Sequence, residues 1–347
     1  MRHGEAPASG AVWRGVAVVV TGAQTQTRGA APALDLDDIQ GLVARGYPQL
    51  PFASYVLAGI GDQATARAWL AHLVGQITPV PDRPADWALN VAFTASGLAR
   101  LGLPSTVLRV FSNEFVSGMT TPHRRRMLGD VGASAPEEWL WGGPSTGRID
   151  VLLLLFARDE PTLTERYAAF RDGFAAGGLA ELCKLDSLVD LGGREHFGFA
   201  DGISQPIIEG LSPRVGPPSG TIRAGEVILG YPNEYGRYTE RPTLKPEADP
   251  QRLLPPDPAG SSGVDLGRNG TYLVFRHLSQ DVRAFWQFVD AASRGPDGTV
   301  DPAKPTWLAS RRQHCSSRRF WPVGWAPTQG RTPPCCTRCG CSAFARC

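Results

Sequence analysis

The chain has 347 residues, of which 42% are apolar, with 35 basic and 33 acidic side chains and a formal net charge of +2. That apolar content supports a substantial core and excludes a wholly disordered chain. The near-balanced charge gives no general reason for a nucleic acid or anionic membrane partner, and no apolar run reaches the roughly 18 residues of a membrane span.

Residues 1–33 are small, polar and glycine-rich, and a flexible leader is expected there. Its one apolar run, "VAVVV", is short and lacks a cleavage pattern, so cytoplasmic residence is expected. "LDLDDIQGLV" and "YVLAGI" then supply apolar runs around the turn "GYPQLP". "DQATARAWLAHLVGQI" has helical spacing, with Ala66, Trp69, Leu70 and Leu73 near one face. "WALNVAFTASGLARLGL" reads as a strand passing into a helix. "IDVLLLLFA" reads as a buried strand, because its run of branched aliphatics over 151–155 suits a sheet covered on both sides. "TLTERYAAFRDGFAAG" follows as an amphipathic helix. Helices thus interleave with strands through about residue 190, as in an α/β or α+β domain.

Beyond a glycine-rich stretch, "TIRAGEVILGYPNEYG" reads as a short strand and a turn. A proline-rich connection over 241–260 leads to the strand "GTYLVFRHL" and the helix "SQDVRAFWQFVDAASR", whose apolar face carries Val282, Phe285, Trp286 and Val289. Periodicity fails after about residue 300, where Cys315, Cys335, Cys336, Cys339, Cys341 and Cys347 crowd the end and only Cys183 precedes them. A secreted disulfide scaffold would spread its cysteines through the body of the chain. Cys336 and Cys339 form a CxxC pair, with Cys335, Cys341 and His314 as further donors, but structural zinc needs convergent, well-spaced pairs. The arginines at 311, 312, 318, 319, 331, 338 and 346 come without a nucleic-acid recognition fold.

The stretch "GREHFGFADGISQP", residues 193–206, fits neither a helix nor a strand. Gly198 and Gly202 bracket Asp201, with Phe199 close by. Glycines permit close approaches and unusual backbone angles, and an acid held beside aromatic rings gains a raised pKa suited to proton exchange. The alternative is a turn whose aspartate caps its own backbone. His196 is open to an acid–base or a surface role, since Arg194 and Glu195 adjoin it. His72 and His123 belong to no metal constellation, whereas His277 follows an apolar strand, a place where a lone histidine is more often structural or exposed than a cofactor ligand.

The same stretch resembles the signature of the dye-decolorizing (Dyp-type) peroxidases, whose glycine–x–x–aspartate–glycine pattern is here Gly198 to Gly202 followed by "ISQP". "LNVAFTASGLARLGLP", "RRMLGDVGASAPEEWLWGG", "AGEVILGYPNEYG" and "NGTYLVFRHLSQDVRAFWQFVD" extend the likeness from about residue 35 to about 305. The resemblance implies an α+β, ferredoxin-like fold with two related domains, each an antiparallel sheet with covering helices. They would span 34–200 and, incompletely, 201–305, with an anomalous, disordered tail over 306–347. It implies one b-type haem (heme b), and hydrogen peroxide and small organic reductants such as dyes and phenols as partners. Asp201 is then the distal acid, and Gly198, Phe199 and Gly202 shape the haem wall. No nucleic acid or membrane partner is expected, and a homo-oligomer is left open.

The family's proximal histidine and distal arginine have no matching pattern here. His277 precedes the ligand's place, "RRQHCSSRRF" around His314 does not reproduce the motif, and Arg319 has no claim to the arginine's role, so the iron ligand stays unassigned. A change of reading frame shortly after Trp307 is expected, leaving sheet edges unpaired and soluble yield poor. The alternative to a working peroxidase is therefore an inactive truncated or frameshifted family member, or a non-catalytic binding protein.

Overall fold

A computed structural model describes residues 32–187, 194–199, 206–212 and 220–299, together with the backbone alone of 339–345. The chain divides into two units, Met1–Pro32 and Ala33–Cys347, and all the described helices and strands belong to the second. Apart from Pro32 and Ala33, the expected leader lies outside the described residues.

In chain order the elements are α1 (Gly41–Ala44), β1 (Phe52–Ile60), α2 (Gln63–Leu73), β2 (Trp87–Phe93), α3 (Ala95–Arg100), α4 (Ser105–Leu108), α5 (Asn113–Ser117) and α6 (Pro122–Leu128). They continue with β3 (Val151–Ala157), α7 (Glu160–Ala176), β4 (Leu179–Asp186), β5 (Ile207–Ile208), β6 (Thr221–Ile222), β7 (Thr243–Leu244), β8 (Val264–Asp265), β9 (Thr271–His277), α8 (Val282–Ala292) and β10 (Cys339–Ala345). The main sheet runs β4-β1-β3-β2-β10-β9, and every pairing in it is antiparallel. Its first four strands, with α2 and α7 as crossovers, form the βαββαβ unit of a ferredoxin-like α+β fold.

The helices start where the sequence supplies caps. Asp62 accepts the Thr65 N–H at 2.9 Å to open α2, and Asp159 accepts the Thr162 N–H at 2.9 Å to open α7. Ala66 and Leu73 of α2 and Leu163, Phe170 and Phe174 of α7 are buried against Val56, Val91, Leu153 and Leu155 on one sheet face. Leu57, Leu152, Leu154 and Phe156 point the other way, onto Tyr47, Leu50, Trp139 and Trp141. Strand β3 is covered on both sides, so all its side chains are buried, in keeping with its unbroken apolar run. Close packing of the 94–150 connection depends on Gly97, where a Cβ would lie 2.0 Å from the Asp150 carbonyl oxygen.

The outer edge of β2 is closed mostly by side chains. Gln40, 2% exposed, acts as a peptide: its Nε2 donates to the Val91 carbonyl at 2.9 Å, and its Oε1 accepts the Val91 N–H at 2.8 Å. Thr78 treats Leu89 similarly, its Oγ1 accepting the Leu89 N–H at 3.1 Å and its own N–H donating to the Leu89 carbonyl at 2.9 Å. These bonds satisfy ladder groups that would otherwise invite another strand. Strand β10 accordingly meets β2 only at Phe344↔Phe93, while it pairs with β9 along its whole length. Cys339–Ala345 thus has extended backbone within the segment expected to be a disordered tail, and the rest of 306–347 lies outside the described residues.

Candidate functional site

The candidate site is built on the turn at 194–199, where a single carboxylate organises the backbone. Glu195 Oε2 accepts the Phe197 N–H at 2.7 Å and Oε1 accepts the Phe199 N–H at 2.7 Å. The Gly198 N–H donates to the Glu195 carbonyl at 2.8 Å, and the Glu195 N–H donates to the Phe199 carbonyl at 3.0 Å. Arg194 Nη1 closes the outside of the turn by donating to the Gly198 carbonyl at 2.9 Å. Gly198 sits at φ 91°, a conformation that side-chain-bearing residues resist. The mixture of charge, glycine and aromatics in this stretch therefore has a local explanation.

The turn rests on α8. Asp281 caps that helix by accepting the Ala284 N–H at 2.8 Å. The Phe197 ring lies 4.4 Å from the Phe285 centroid; Phe199 meets Phe285 edge-on at 6.1 Å and stacks on Trp286 at 6.1 Å with 27° between planes. Aromatic pairs at such spacings contribute about 0.5–1.5 kcal/mol each beyond area burial. Gln280, at the entry to α8, donates from Nε2 to Glu195 Oε2 at 3.2 Å. Val289, on the apolar face expected for this helix, is buried, whereas Phe288 is 71% exposed.

Of the residues singled out from sequence, Gly198 and Phe199 lie in this turn, and Asp201 and Gly202 lie outside the described residues. Four aromatic rings on one turn and one helix, Phe197, Phe199, Phe285 and Trp286, pack together as one apolar cluster. The iron ligand is another matter: His72, His123, His196 and His277 are all exposed, and among the described residues no group of His, Cys, Asp and Glu is arranged to hold a metal ion. The tail cluster of His314 and cysteines lies outside the residues whose side chains are described, while Cys183 is half-buried on β4.

Sequence patterning missed the buried ion pairs of two arginines, Arg241 and Arg276. Arg241, 9% exposed, bonds Asp265 Oδ2 at 2.5 Å through Nε and bonds Asp257 through Nη2. The arginine thereby folds the proline-rich connection back onto β8. Arg276 on β9 donates from Nη2 to the buried Asp130 at 2.7 Å and lies 5.7 Å from the Trp139 ring. Beside it, Phe275 stacks on Trp141 at 5.6 Å and meets Tyr55 at 5.3 Å, and burial pushes the Tyr55 phenol up. A paired arginine looks like any surface charge in a sequence; only its distant partners reveal the burial. No described helix is long and apolar enough to cross a membrane.

No family model matches the chain. It is 29% identical over 266 residues to a dye-decolorizing peroxidase of Mycena epipterygia, covering 74% of this chain and 44% of that protein. It is 28% identical over 323 residues to Peroxidase 2 of Mycetinis scorodonius, covering 89% of this chain and 54% of that one. Among solved structures, a variant of the dye-decolorizing peroxidase from Pleurotus ostreatus aligns with a TM-score of 0.61 at 22% identity, over 81% of this chain and 56% of that chain. A dye-decolorizing peroxidase from Auricularia auricula-judae aligns with a TM-score of 0.58 at 22% identity, over 77% and 53%. The chain spans about half the length of the curated relatives it matches.

Proposed function

We propose that the chain, similar in sequence and in fold to dye-decolorizing peroxidases, is a haem-dependent peroxidase that reduces hydrogen peroxide while oxidising small organic donors such as dyes and phenols. The observation that carries this reading is the carboxylate-held turn at 194–199, which leads the chain from an aromatic wall directly into Asp201. Phe197 and Phe199, backed by Phe285 and Trp286, would hold one face of heme b and keep bulk water from it. Haem b, when bound, supplies the oxidising equivalents that the donors later consume.

Asp201 is assigned the proton transfer. Its carboxylate would take a proton from one oxygen of hydrogen peroxide and deliver it to the other, so that this second oxygen can leave as water, while bound haem b would supply the two electrons that O–O cleavage requires. Gly198 and Gly202 flank Asp201 in sequence, and as glycines they would add no side chain beside it. The test is expression of the full chain with haem, then absorption spectroscopy and stopped-flow mixing with peroxide. A Soret band and peroxide-dependent dye oxidation are expected, with Asp201→Asn slowing the peroxide step by roughly 10²–10⁴-fold. An Asp201→Asn protein as fast as its parent would remove Asp201 from the mechanism.

One observation favours a second reading, a haem-free member of the family without peroxidase activity: every described histidine is exposed. A purified chain without a Soret band after haem loading, and without peroxide-dependent oxidation, would establish that reading over the first.

A further inference from the structure

We propose that a cavity between α2 and β2 is a binding site for a small organic anion, an aliphatic carboxylate of about ten non-hydrogen atoms, with Arg67 as its charge partner. The cavity has a volume of about 350 Å³, roughly a dozen times the share of one water in the liquid. One wall is a single stripe of α2 and the turn after it: Arg67, Leu70, Ala71 and Val74, spaced i, i+3, i+4 and i+7. Ala71 is the shortest side chain of that stripe and leaves room that a longer one would take. Ile77, Val91 and Phe93 line the sheet side, and Leu101, just after α3, borders the space as well.

The cavity has two unlike ends, which the helical rise sets about 10 Å apart from Arg67 to Val74. The Val74 end is apolar and open. Val74 is 57% exposed and Phe93 is half-buried, so the body of a ligand would take apolar surface out of water there. At the Arg67 end two donors converge on Gly102. A Cβ at that glycine would collide with Gln63 Nε2 and lie 3.8 Å from Arg67 Nη1, and its φ of 95° independently disfavours a side chain. Gln63 and Arg67 are four residues apart on α2, so the amide and the guanidinium share one helix face.

Arg67 makes no ion pair among the described residues. It also stands well before the last turn of α2, so a carboxylate beside it keeps clear of the negative, C-terminal end of the helix dipole. An eight-carbon chain then reaches from the guanidinium to Val74. Charge, length and lining together select an anion with an apolar tail over a neutral or cationic counterpart. The site is separate from the peroxidase reading: none of its lining residues lies in the 194–199 turn or α8, and its test needs no haem.

Calorimetric titration of the full chain with octanoate, 1-octanol and octylammonium tests the assignment. Octanoate is expected to saturate one site with a Kd of roughly 0.1–1 mM, ordinary for a ligand of that size, and to raise Tm as it does so. Octanol should bind several-fold more weakly and octylammonium not measurably. Arg67→Gln should weaken octanoate by roughly three- to ten-fold, a charge-assisted contact discounted for exposure, and leave octanol unchanged. Ala71→Trp fills the cavity from an exposed helix position and should abolish binding of both. If that variant fails to fold, Val74→Trp, also exposed, blocks the other end. Absence of saturable octanoate binding, an unchanged octanoate affinity in Arg67→Gln, or octylammonium binding as tightly as octanoate would overturn the proposal. So would octanoate binding that survives the tryptophan substitution, because the ligand would then occupy another place.

Discussion

Asp150 joins the strand edge, the 94–150 connection and β3, and its replacement by asparagine tests the fold's polar interior. Its side chain is 1% exposed. It accepts the Ile60 N–H at 2.9 Å through Oδ2, and the Ser96 hydroxyl at 2.8 Å and Arg148 Nε at 3.0 Å through Oδ1. In Asp150→Asn, the least damaging orientation keeps oxygen on the Ser96 and Arg148 side and turns the NH₂ toward the Ile60 N–H. One buried backbone donor then loses its acceptor, costing about 1–3 kcal/mol. Loss of the charge attraction to the half-exposed Arg148 adds about 0–1 kcal/mol. The sum, about 1–4 kcal/mol, lowers Tm by roughly 2–16 °C at the sensitivity of larger domains, about 2–4 °C per kcal/mol. Thermal unfolding monitored by circular dichroism at neutral pH measures this. Added salt at about 1 M, which screens the exposed part of the ion pair, should reproduce only the smaller share of the loss in the parent. A variant melting at the parent's temperature would refute the reasoning, because it would mean that the Ile60 N–H never depended on the carboxylate.

Two further outcomes test other parts of the structure. Arg241→Met leaves Asp257 and Asp265 without their shared cation and should destabilise by about 3–5 kcal/mol, measured by urea unfolding; a loss below about 1 kcal/mol would contradict the buried pairing. The Thr162 hydroxyl and N–H, with Arg158 beside them, hold the Asp159 carboxyl at about 2 against an ordinary 3.8. Its folded value is depressed, so its support of α7 is complete above 3.8 and disappears as pH falls toward about 2. The Tm difference between parent and Asp159→Asn should therefore shrink across that window, and a constant difference would show that the cap does not titrate.

What periodicity revealed and what it missed have physical causes. The strand β3 and the helices α2, α7 and α8 bury large apolar sets against a sheet or a turn, so their spacing alone locates them. Gln40 and Asn90 are polar and would be read as solvent-facing, yet both are 2% exposed because they complete the edge of β2. The segment 241–260 reads as a connection because proline and glycine dominate it, and its order depends on an ion pair between Arg241 and Asp265, distant in sequence. Strand β10 lacks an apolar alternation of its own and takes its backbone partners from β9. In the site, Glu195 adjoins the exposed His196 and by that position suggests a surface role, although its carboxylate turns inward onto the backbone of its own loop.

That inward turn makes two separated pieces of sequence one physical object. Residues 194–199 and α8 are far apart in sequence, and their aromatic rings meet at Phe197, Phe199, Phe285 and Trp286. The turn needs a platform for Phe197 and Phe199, which Phe285 and Trp286 provide, and Gln280 reaches the carboxylate that closes it. The aromatic face of α8, in turn, would be open to water without those rings, a cost of about 25 cal/mol for each Å² of apolar surface left uncovered. Substitutions in the two pieces should therefore couple: Phe285→Ala and Phe197→Ala ought to cost less together than the sum of their separate losses, because each removes the same ring contact.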